Sequence, residues 1–430
     1  MHTEQIKRRR SRPGIFLRAL ALTAGLLALN SCSTLNLLGR DVRAMDQDTR
    51  LVGRITGSQS KVVKVFVLKK GSGAEGYTVA DCGSPNGMGD FAFLLPGRKP
   101  YFVAAVQGGG ERLSLYGGHE MREIPPGKDS QATPLLLNLA RSINRKDPAV
   151  RPLDHALESW DPGQAGTSGA VAIGCGELAS LDDAAFDDEA GLKGLWAPVT
   201  SVKRHGMGVY FLEPYDPKKI PVLFVHGLGG TARCWQPLID SLDHRRYQAW
   251  VYSYPSGLPL EAVGKALGDL TDRLQKHYGF RRLHVVAHSM GGLVARRAVQ
   301  RIGNEIGGRY VSSLTTISTP WNGVLFTVVG TLGLPAPVPA WFDLRPNSRF
   351  IRQVLEDPLP VPHLLISTDK ARFNITLPCR NDGTVAVASQ LDPRAVSQAA
   401  ATCVVHEDHT RVLEVAETKR ALAGFLRRES

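Results

Sequence analysis

Three residue types in the second half of the chain could together carry out nucleophilic catalysis. The stretch HVVAHSMGGLV, residues 284–294, places Ser289 between an apolar run and a pair of glycines. A serine hydroxyl is a weak nucleophile at neutral pH, so it needs a base to remove its proton and an acid to orient that base. Downstream, CRNDGTVAVASQ supplies Asp382 and CVVHEDHTRVL supplies His409. These residues are candidates for the nucleophile, the orienting acid and the base.

Two nearby residues are alternative candidates. Asp369 is the last residue of the stretch HLLISTD and so stands closer to this apolar run than Asp382 does. His406 directly continues a second apolar run, CVV, which precedes His409. We expect His406 to be a structural histidine. The two histidines also have H-x-x-H spacing, but without a helix or a third ligand this pattern predicts no metal site. We expect no cofactor.

The sequence around Ser289 predicts a strand, a sharp turn and a helix. Residues 283–288 form an apolar run typical of a buried strand, and residues 291–302 have helical periodicity. Such a turn needs small residues two positions before and two after the serine, where Ala287 and Gly291 stand. Ala287 departs from the G-x-S-x-G pattern by one methyl group, which we expect the turn to tolerate. The start of the helix would offer backbone N–H groups to an oxyanion.

The surrounding elements predict a mostly parallel sheet flanked by helices. From about residue 207, short apolar runs alternate with amphipathic helical patterns, which is typical of α/β domains. The run IPVLFVHG is apolar almost throughout, as in a strand buried on both faces, and HGLGG ends it at residues 226–230. This loop lies one strand–helix–strand unit before the strand of Ser289, where a second oxyanion donor is expected.

Five motifs occur in order: FVHGLGG, AHSMGGLVAR, ISTPWNG, NDGTVAVASQ and EDHTRVL. Together they resemble the α/β-hydrolase superfamily, especially bacterial esterases and lipases, and so imply an α/β-hydrolase fold. The resemblance implies that Ser289 is the nucleophile, His409 the base and Asp382 the orienting acid. It further implies that the backbone N–H groups of Leu228 and Met290 form the oxyanion hole.

The resemblance implies hydrolysis of carboxylic esters through an acyl-enzyme, with an ester or a lipid as the substrate. A catalytically silent scaffold that binds an envelope partner is the alternative, and amidase, peptidase or acyltransferase activity could use the same three residues. The apolar, Gly- and Pro-rich segment 319–344 is consistent with a lid over the site and equally with a hydrophobic helix in the core. No protein partner can be named.

The N-terminus predicts export and membrane attachment. Residues 1–31 combine the basic stretch KRRRSR with an apolar run too short to be a good membrane span, as in a signal peptide. The run ends in LNSC, which resembles a bacterial lipobox with Cys32 as the lipidated residue. With Ser33 next, the resemblance implies a lipid-anchored protein of the outer membrane that faces the periplasm. A cleaved signal peptide without lipid, or an uncleaved anchor, is the alternative.

The composition limits other classes of function. The formal net charge of +12 lies partly in the basic N-terminus and is otherwise spread along the chain, so nucleic-acid binding is not expected. With 43% hydrophobic and 21% charged residues among 430, the chain has the make-up of an ordinary globular protein of two or three domains. Five cysteines follow Cys32, so at least one is unpaired, and Cys379 with Cys403 is the first pair to examine.

The chain before the α/β region divides into three predicted parts. Residues 32–49 are predicted to be a tether, and residues 50–117 contain short β-branched and aromatic runs that predict a small β-sandwich. Within the latter, GMGDFAFLLPGRKPYFVAAV resembles carboxypeptidase regulatory-like and transthyretin-like modules, which implies a structural or spacer role. Residues 118–206 are predicted to be a connector that packs on the catalytic domain, residues 207–430.

Overall fold

The computed structural model describes residues 39–45, 48–57, 63–71, 76–107, 112–125, 134–158, 169–333, 337–370 and 379–430. The predicted signal peptide and Cys32 lie outside these residues. Within the described ranges, no helix is both long enough and apolar enough to cross a membrane.

Two β-sheets that face each other form the N-terminal part of the chain. Their strands are β1 (Thr49–Thr56), β2 (Val63–Lys70), β3 (Tyr77–Gly83), β4 (Asp90–Leu95), β5 (Phe102–Gln107), β6 (Arg112–Leu115), β7 (Leu135–Asn138), β8 (Ile143–Asn144) and β9 (Ala170–Val171). One sheet has the order β7-β1-β4-β9 and the other β3-β2-β5-β6-β8. Alternate residues of both, among them Leu51, Val65 and Phe93, share one core. This part is the small β-sandwich that the sequence predicted.

A single eight-stranded sheet forms the C-terminal part. Its strands are β10 (Ile173–Leu178), β11 (Met207–Phe211), β12 (Ile220–Val225), β13 (Tyr247–Ser253), β14 (Leu283–His288), β15 (Val311–Ile317), β16 (His363–Thr368) and β17 (Ala401–Val405). Their order is β10-β11-β13-β12-β14-β15-β16-β17, and within it only β11 and β13 pair antiparallel. The predicted mostly parallel sheet is confirmed.

Helices cover both faces of this sheet. They are Asp188–Trp196, Pro198–His205, Gln236–Ile239, Leu260–Tyr278, Met290–Gln300, Phe326–Gly333, Pro339–Asp343, Arg349–Glu356, Val387–Gln390, Pro393–Val396 and Ala416–Arg428, while Arg151–Glu158 packs on the sandwich. In β12, Leu223 and Val225 belong to the core on one face, whereas Val222 and Phe224 belong to the core on the other. Burial on both faces explains why this strand is apolar throughout.

The structure divides the predicted connector, residues 118–206, between the two parts. β7 and β8 join the sandwich sheets, and β10 is the edge strand of the large sheet. The helix Asp188–Trp196 also packs on the core of the large sheet, and the helix Pro198–His205 packs against that helix and against β9 of the sandwich. These strands have only two to six residues, too few for an alternating pattern to stand out in the sequence.

A buried carboxylate joins the two parts. Asp90 of β4 forms ion pairs with Arg54 of β1 at 2.8 Å and with Arg273 of the helix Leu260–Tyr278 at 2.5 Å. The Asp90 side chain is fully buried, so its charge depends on these two arginines for compensation. The contact therefore ties the sandwich to the large sheet.

The described cysteines are all free thiols, including Cys379 and Cys403. Cys379 lies exposed in the loop before Asp382, whereas Cys403 packs from β17 toward the core. The pair that the sequence put forward for examination therefore forms no disulfide.

Candidate active site

Ser289 stands at the sharp junction between β14 and the helix Met290–Gln300. Its φ of 55° and ψ of −134° belong to neither a strand nor a helix, and a positive φ is costly for a residue with a side chain. The Ser289 N–H donates to the Ile317 carbonyl of β15 at 2.8 Å. The neighbouring strand thus helps to hold the serine in a strained turn, as in a nucleophile elbow.

Small residues around Ser289 let the elements approach closely. A Cβ on Gly291 would lie 2.3 Å from the carbonyl oxygen of His226 and 2.5 Å from that of Val225. Since both atoms belong to the backbone, no larger residue fits at Gly291. Ala287 is fully buried in β14 opposite Val225, where its methyl group is accommodated.

The structure brings the three candidate side chains together. His409 Nε2 lies 2.8 Å from Ser289 Oγ, and His409 Nδ1 lies 2.7 Å from Asp382 Oδ2. All three residues are at least 95% buried. When Nδ1 donates to the carboxylate, the Nε2 lone pair faces the serine hydroxyl, which is the geometry for proton transfer.

Asp382 is held in its loop by several donors. Its Oδ2 accepts hydrogen bonds from Thr368 Oγ1 at 2.6 Å and Gln390 Nε2 at 2.9 Å, and its Oδ1 accepts one from the Val385 N–H at 2.8 Å. Burial by itself raises the pKa of a carboxyl group, but His409 and the bonds from Thr368 and Val385 outweigh it. The pKa of Asp382 is therefore lowered, and the residue is a carboxylate at neutral pH.

The HGLGG loop lies directly beside Ser289. A Cβ on Gly227 would be 2.8 Å from Ser289 Cβ, so glycine is required for this contact. Leu228 follows Gly227, and Met290 begins the helix, where a backbone N–H has no partner within the helix. Leu228 and Met290, whose N–H groups are the predicted oxyanion donors, are thus each the chain neighbour of a residue in the Gly227–Ser289 contact.

His226 and Tyr254 support the start of the same loop. The Tyr254 hydroxyl donates to the His226 carbonyl at 2.6 Å, and the two rings stack with their centroids 4.3 Å apart. Burial lowers the pKa of His226 to about 4, so its ring is neutral at neutral pH. Further along, the Gly229 N–H donates to Ser256 Oγ at 2.8 Å. The loop is therefore fixed by contacts that carry no charge.

The structure brings the two alternative candidates, Asp369 and His406, together with each other. His406 Nδ1 and Arg380 both contact the Asp369 carboxylate. The His406 side chain is 80% exposed and has Asp369 as its partner, so it is a surface histidine paired with a carboxylate. In the described part of the chain, no group of three or more His, Cys, Asp or Glu residues could hold a metal ion.

The apolar segment 319–344 has a buried anchor and an exposed surface. The Trp341 ring is buried against Trp196 and Phe326, with centroids 5.5 and 6.1 Å away. Leu325 and Phe342 are 55% and 47% exposed. The buried Trp341 fits the expectation of an element in the core, and the exposed Leu325 and Phe342 fit the expectation of an apolar lid.

Sequence reasoning missed the residues that hold the candidate triad in place. Thr368 and Gln390 bind Asp382, and Ser256 binds the HGLGG loop. Thr368 stands at the end of an apolar run, where a polar residue could have been noticed. Gln390 and Ser256 carry no comparable signal in the sequence, because the role of each depends on how the folded chain turns its partner toward it.

Comparison with known proteins gives a family match that covers the site. Residues 222–428 match the model of a family described as the alpha/beta hydrolase family. The match runs from β12 to the last helix, a little under half of the chain. RutD of Stutzerimonas stutzeri, whose name assigns it provisionally as a carbamate hydrolase, is 32% identical over 89 residues, or 18% of this chain. The chain spans only 32% of that relative's length.

Solved structures similar to this chain include two lipid-cleaving enzymes by name. The mature lipase BlEst2 of Bacillus licheniformis is 19% identical and has a TM-score of 0.41, covering 52% of this chain and 98% of its own. Phospholipase PlaB of Legionella pneumophila is 20% identical with a TM-score of 0.34, covering 40% of this chain and 44% of its own.

Proposed function

Residues 222–428 match the model of the alpha/beta hydrolase family, and from this match we propose that the protein is a serine hydrolase that cleaves carboxylic esters. The observation that carries the proposal is the hydrogen-bonded series from Ser289 through His409 to Asp382, with contacts of 2.8 and 2.7 Å. A serine in this arrangement can lose its proton to the imidazole as it attacks a carbonyl carbon.

The proposed reaction proceeds through an acyl-enzyme. Ser289 Oγ bonds to the ester carbonyl carbon while His409 Nε2 takes the hydroxyl proton, and the carbonyl oxygen becomes an oxyanion. His409 then gives the proton to the leaving alcohol, and the carbon–oxygen bond to that alcohol breaks. Water attacks the acyl-enzyme by the same steps, which releases the acid and restores the serine.

Two groups of residues would stabilise the charges of this reaction. The backbone N–H groups of Leu228 and Met290 would donate to the oxyanion, and the tight contact between Gly227 and Ser289 supports that assignment. Asp382, with its lowered pKa, would stay ionised and stabilise the His409 imidazolium.

The apolar surroundings favour a substrate with an acyl chain. Exposed Leu325 and Phe342 lie in a segment whose Trp341 also contacts Trp196, so this segment could act as a lid or an acyl-binding wall.

We further propose that Cys32 is lipidated and holds the protein at the outer membrane, facing the periplasm. Cys32→Ala should then release the protein from the membrane fraction, and retention there would contradict the anchor.

A fluorophosphonate probe together with an ester assay tests the proposed activity. The wild type should be labelled and should hydrolyse p-nitrophenyl esters, with a rate that changes as the acyl chain lengthens. Ser289→Ala should not be labelled at this position and should lose at least about 10³-fold in kcat. As a control, Ser312→Ala should change neither result, since Ser312 is a half-buried residue of β15 outside the site.

Two outcomes would contradict the proposal. A folded wild-type protein that neither reacts with the probe nor cleaves esters would favour a silent scaffold. Labelling at Ser289 accompanied by cleavage of amides but not of esters would favour an amidase or a peptidase.

A further inference from the structure

His288, the last residue of β14, forms a hydrogen bond with the backbone of His409, the proposed base. Its Nε2 lies 2.7 Å from the backbone carbonyl oxygen of His409, and the centroids of the two rings are 4.8 Å apart. A carbonyl oxygen only accepts hydrogen bonds, so the neutral His288 ring carries its proton on Nε2 and donates it. His288 thus links the strand that leads to Ser289 with the loop that carries His409.

The His409 loop needs such a link because it starts far along the sheet from Ser289. The strands β15 and β16 separate β14 from β17, a span of about 14 Å at the usual strand spacing. The backbone N–H of His409 donates to the Asp382 carbonyl at 3.0 Å, and its Nδ1 contacts the Asp382 carboxylate at 2.7 Å. Both of these bonds depend on Asp382, whereas the bond from His288 comes from the residue next to Ser289.

We propose that His288 is a positioning residue that sets the distance between His409 Nε2 and Ser289 Oγ. The inference rests on the proposed function. Because His288 and Ser289 are adjacent in the chain, a bond from His288 to the His409 backbone fixes the base relative to the nucleophile. A shift of about 1 Å in such a constellation can cost about 10²-fold in rate. His288 has no contact with substrate in this role and transfers no proton.

The surroundings of His288 suit a neutral, fixed ring. Burial, with a smaller contribution from the His409 ring, lowers the pKa of His288 to about 3. A second positive charge at this distance would oppose the His409 imidazolium that forms during attack. The Trp235 ring packs edge-on against His288, with centroids 6.4 Å apart, and restricts its orientation.

Two substitutions of His288 whose side chains differ in length test its positioning role. In His288→Gln the side-chain amide nitrogen can take roughly the place of Nε2 and donate to the His409 carbonyl. In His288→Asn the amide is one carbon closer to the backbone and falls short. With p-nitrophenyl butyrate, kcat should fall about 10- to 100-fold for H288N while KM stays within about twofold. H288Q should recover most of the lost kcat.

His363 provides a matched control. It is a fully buried histidine whose pKa is also lowered to about 3 by burial, and its Nε2 lies 2.7 Å from Thr316 Oγ1. H363N and H363Q should have similar kcat values, because this histidine has no bond to the base. Thermal unfolding of all four variants separates loss of stability from loss of positioning.

Each outcome has a defined meaning. Equal kcat for folded H288N and H288Q would overturn the positioning role, even if both differ from wild type. If H288N does not fold, H288Q decides: near-wild-type kcat supports the role, and a loss of more than about 10-fold overturns it. A wild type that shows neither labelling nor ester cleavage would overturn the proposed function, and the positioning role with it. Labelling and cleavage with no difference between the variants overturn the positioning role alone.

Discussion

At the residue scale, identical residue types close in sequence have unrelated surroundings. His406 and His409 both follow β17, yet the His406 side chain is 80% exposed beside Asp369 and His409 is buried between Ser289 and Asp382. Spacing made both histidines candidates for the base. The path of the chain after β17 separates them, because it turns only one of the two toward the serine.

The two histidines should therefore respond differently to removal. His409→Ala should lower kcat for p-nitrophenyl esters by at least about 10³-fold, since the serine loses its proposed base. His406→Ala should stay within about twofold of wild type, because its partner Asp369 retains Arg380. Steady-state kinetics with the two variants side by side measure this difference. A larger loss for H406A than for H409A would exchange their assignments.

At the scale of elements, the site depends on contact between the HGLGG loop and the start of the helix after Ser289. The Gly291 Cα faces the carbonyl oxygens of Val225 and His226 with no space for a methyl group. The loop and the helix therefore approach at backbone distance, which places the N–H groups of both near the serine. A change of one methyl group at this contact should disturb stability and activity together.

Gly291→Ala should lower the free energy of unfolding by about 1–3 kcal/mol and reduce kcat, because the new Cβ must displace backbone. Gly424→Ala is the matched control, since Gly424 lies in the helix Ala416–Arg428 with open space where a Cβ would stand. That variant should gain up to about 1 kcal/mol from helix propensity and keep full activity. Urea unfolding and ester assays measure both effects. A G291A protein as stable and active as wild type would show that this contact is not tight in solution.

At the scale of the whole molecule, several histidines of the C-terminal part are buried in their neutral form. Burial lowers the pKa of His226 and His284 to about 4 and of His288 and His363 to about 3. In the unfolded chain a histidine has a pKa of about 6.5, so below that pH the unfolded state binds more protons than the folded state. The stability from these groups is present above pH 6.5 and is lost as the pH falls toward 4 and 3.

Acid should therefore destabilise the protein well before most of its carboxylates are protonated. At pH 5.5 each of these four histidines should lower the free energy of unfolding by about 1 kcal/mol relative to pH 7.5. Together they would remove a large share of the roughly 5–15 kcal/mol that is typical of a domain. Urea unfolding at pH 7.5, 6.5 and 5.5 measures the slope. His363→Gln should have a shallower slope than wild type, whereas exposed His244→Gln should not. A free energy of unfolding that is unchanged across this range would contradict the account.

Much of the architecture could be predicted because its signals are local. A strand buried on both faces, such as β12, is apolar throughout, and the turn at Ser289 requires small residues at fixed distances. The division of residues 118–206 between two sheets could not be predicted, since β7 to β10 are short and gain their place by pairing with distant strands. The free thiols of Cys379 and Cys403 likewise depend on where their loop and strand lie.

The sequence by itself determined the fold class of each part and the order of the candidate serine, aspartate and histidine, because periodicity and motif spacing are properties of neighbouring residues. Only the tertiary structure decided which aspartate and which histidine meet Ser289. Ser289 and His409 are 120 positions apart, and their contact of 2.8 Å exists because the sheet sets β14 to β17 side by side. The supporting hydrogen bond from His288 to the His409 carbonyl arises in the same way, because these two residues are 121 positions apart and meet only through packing.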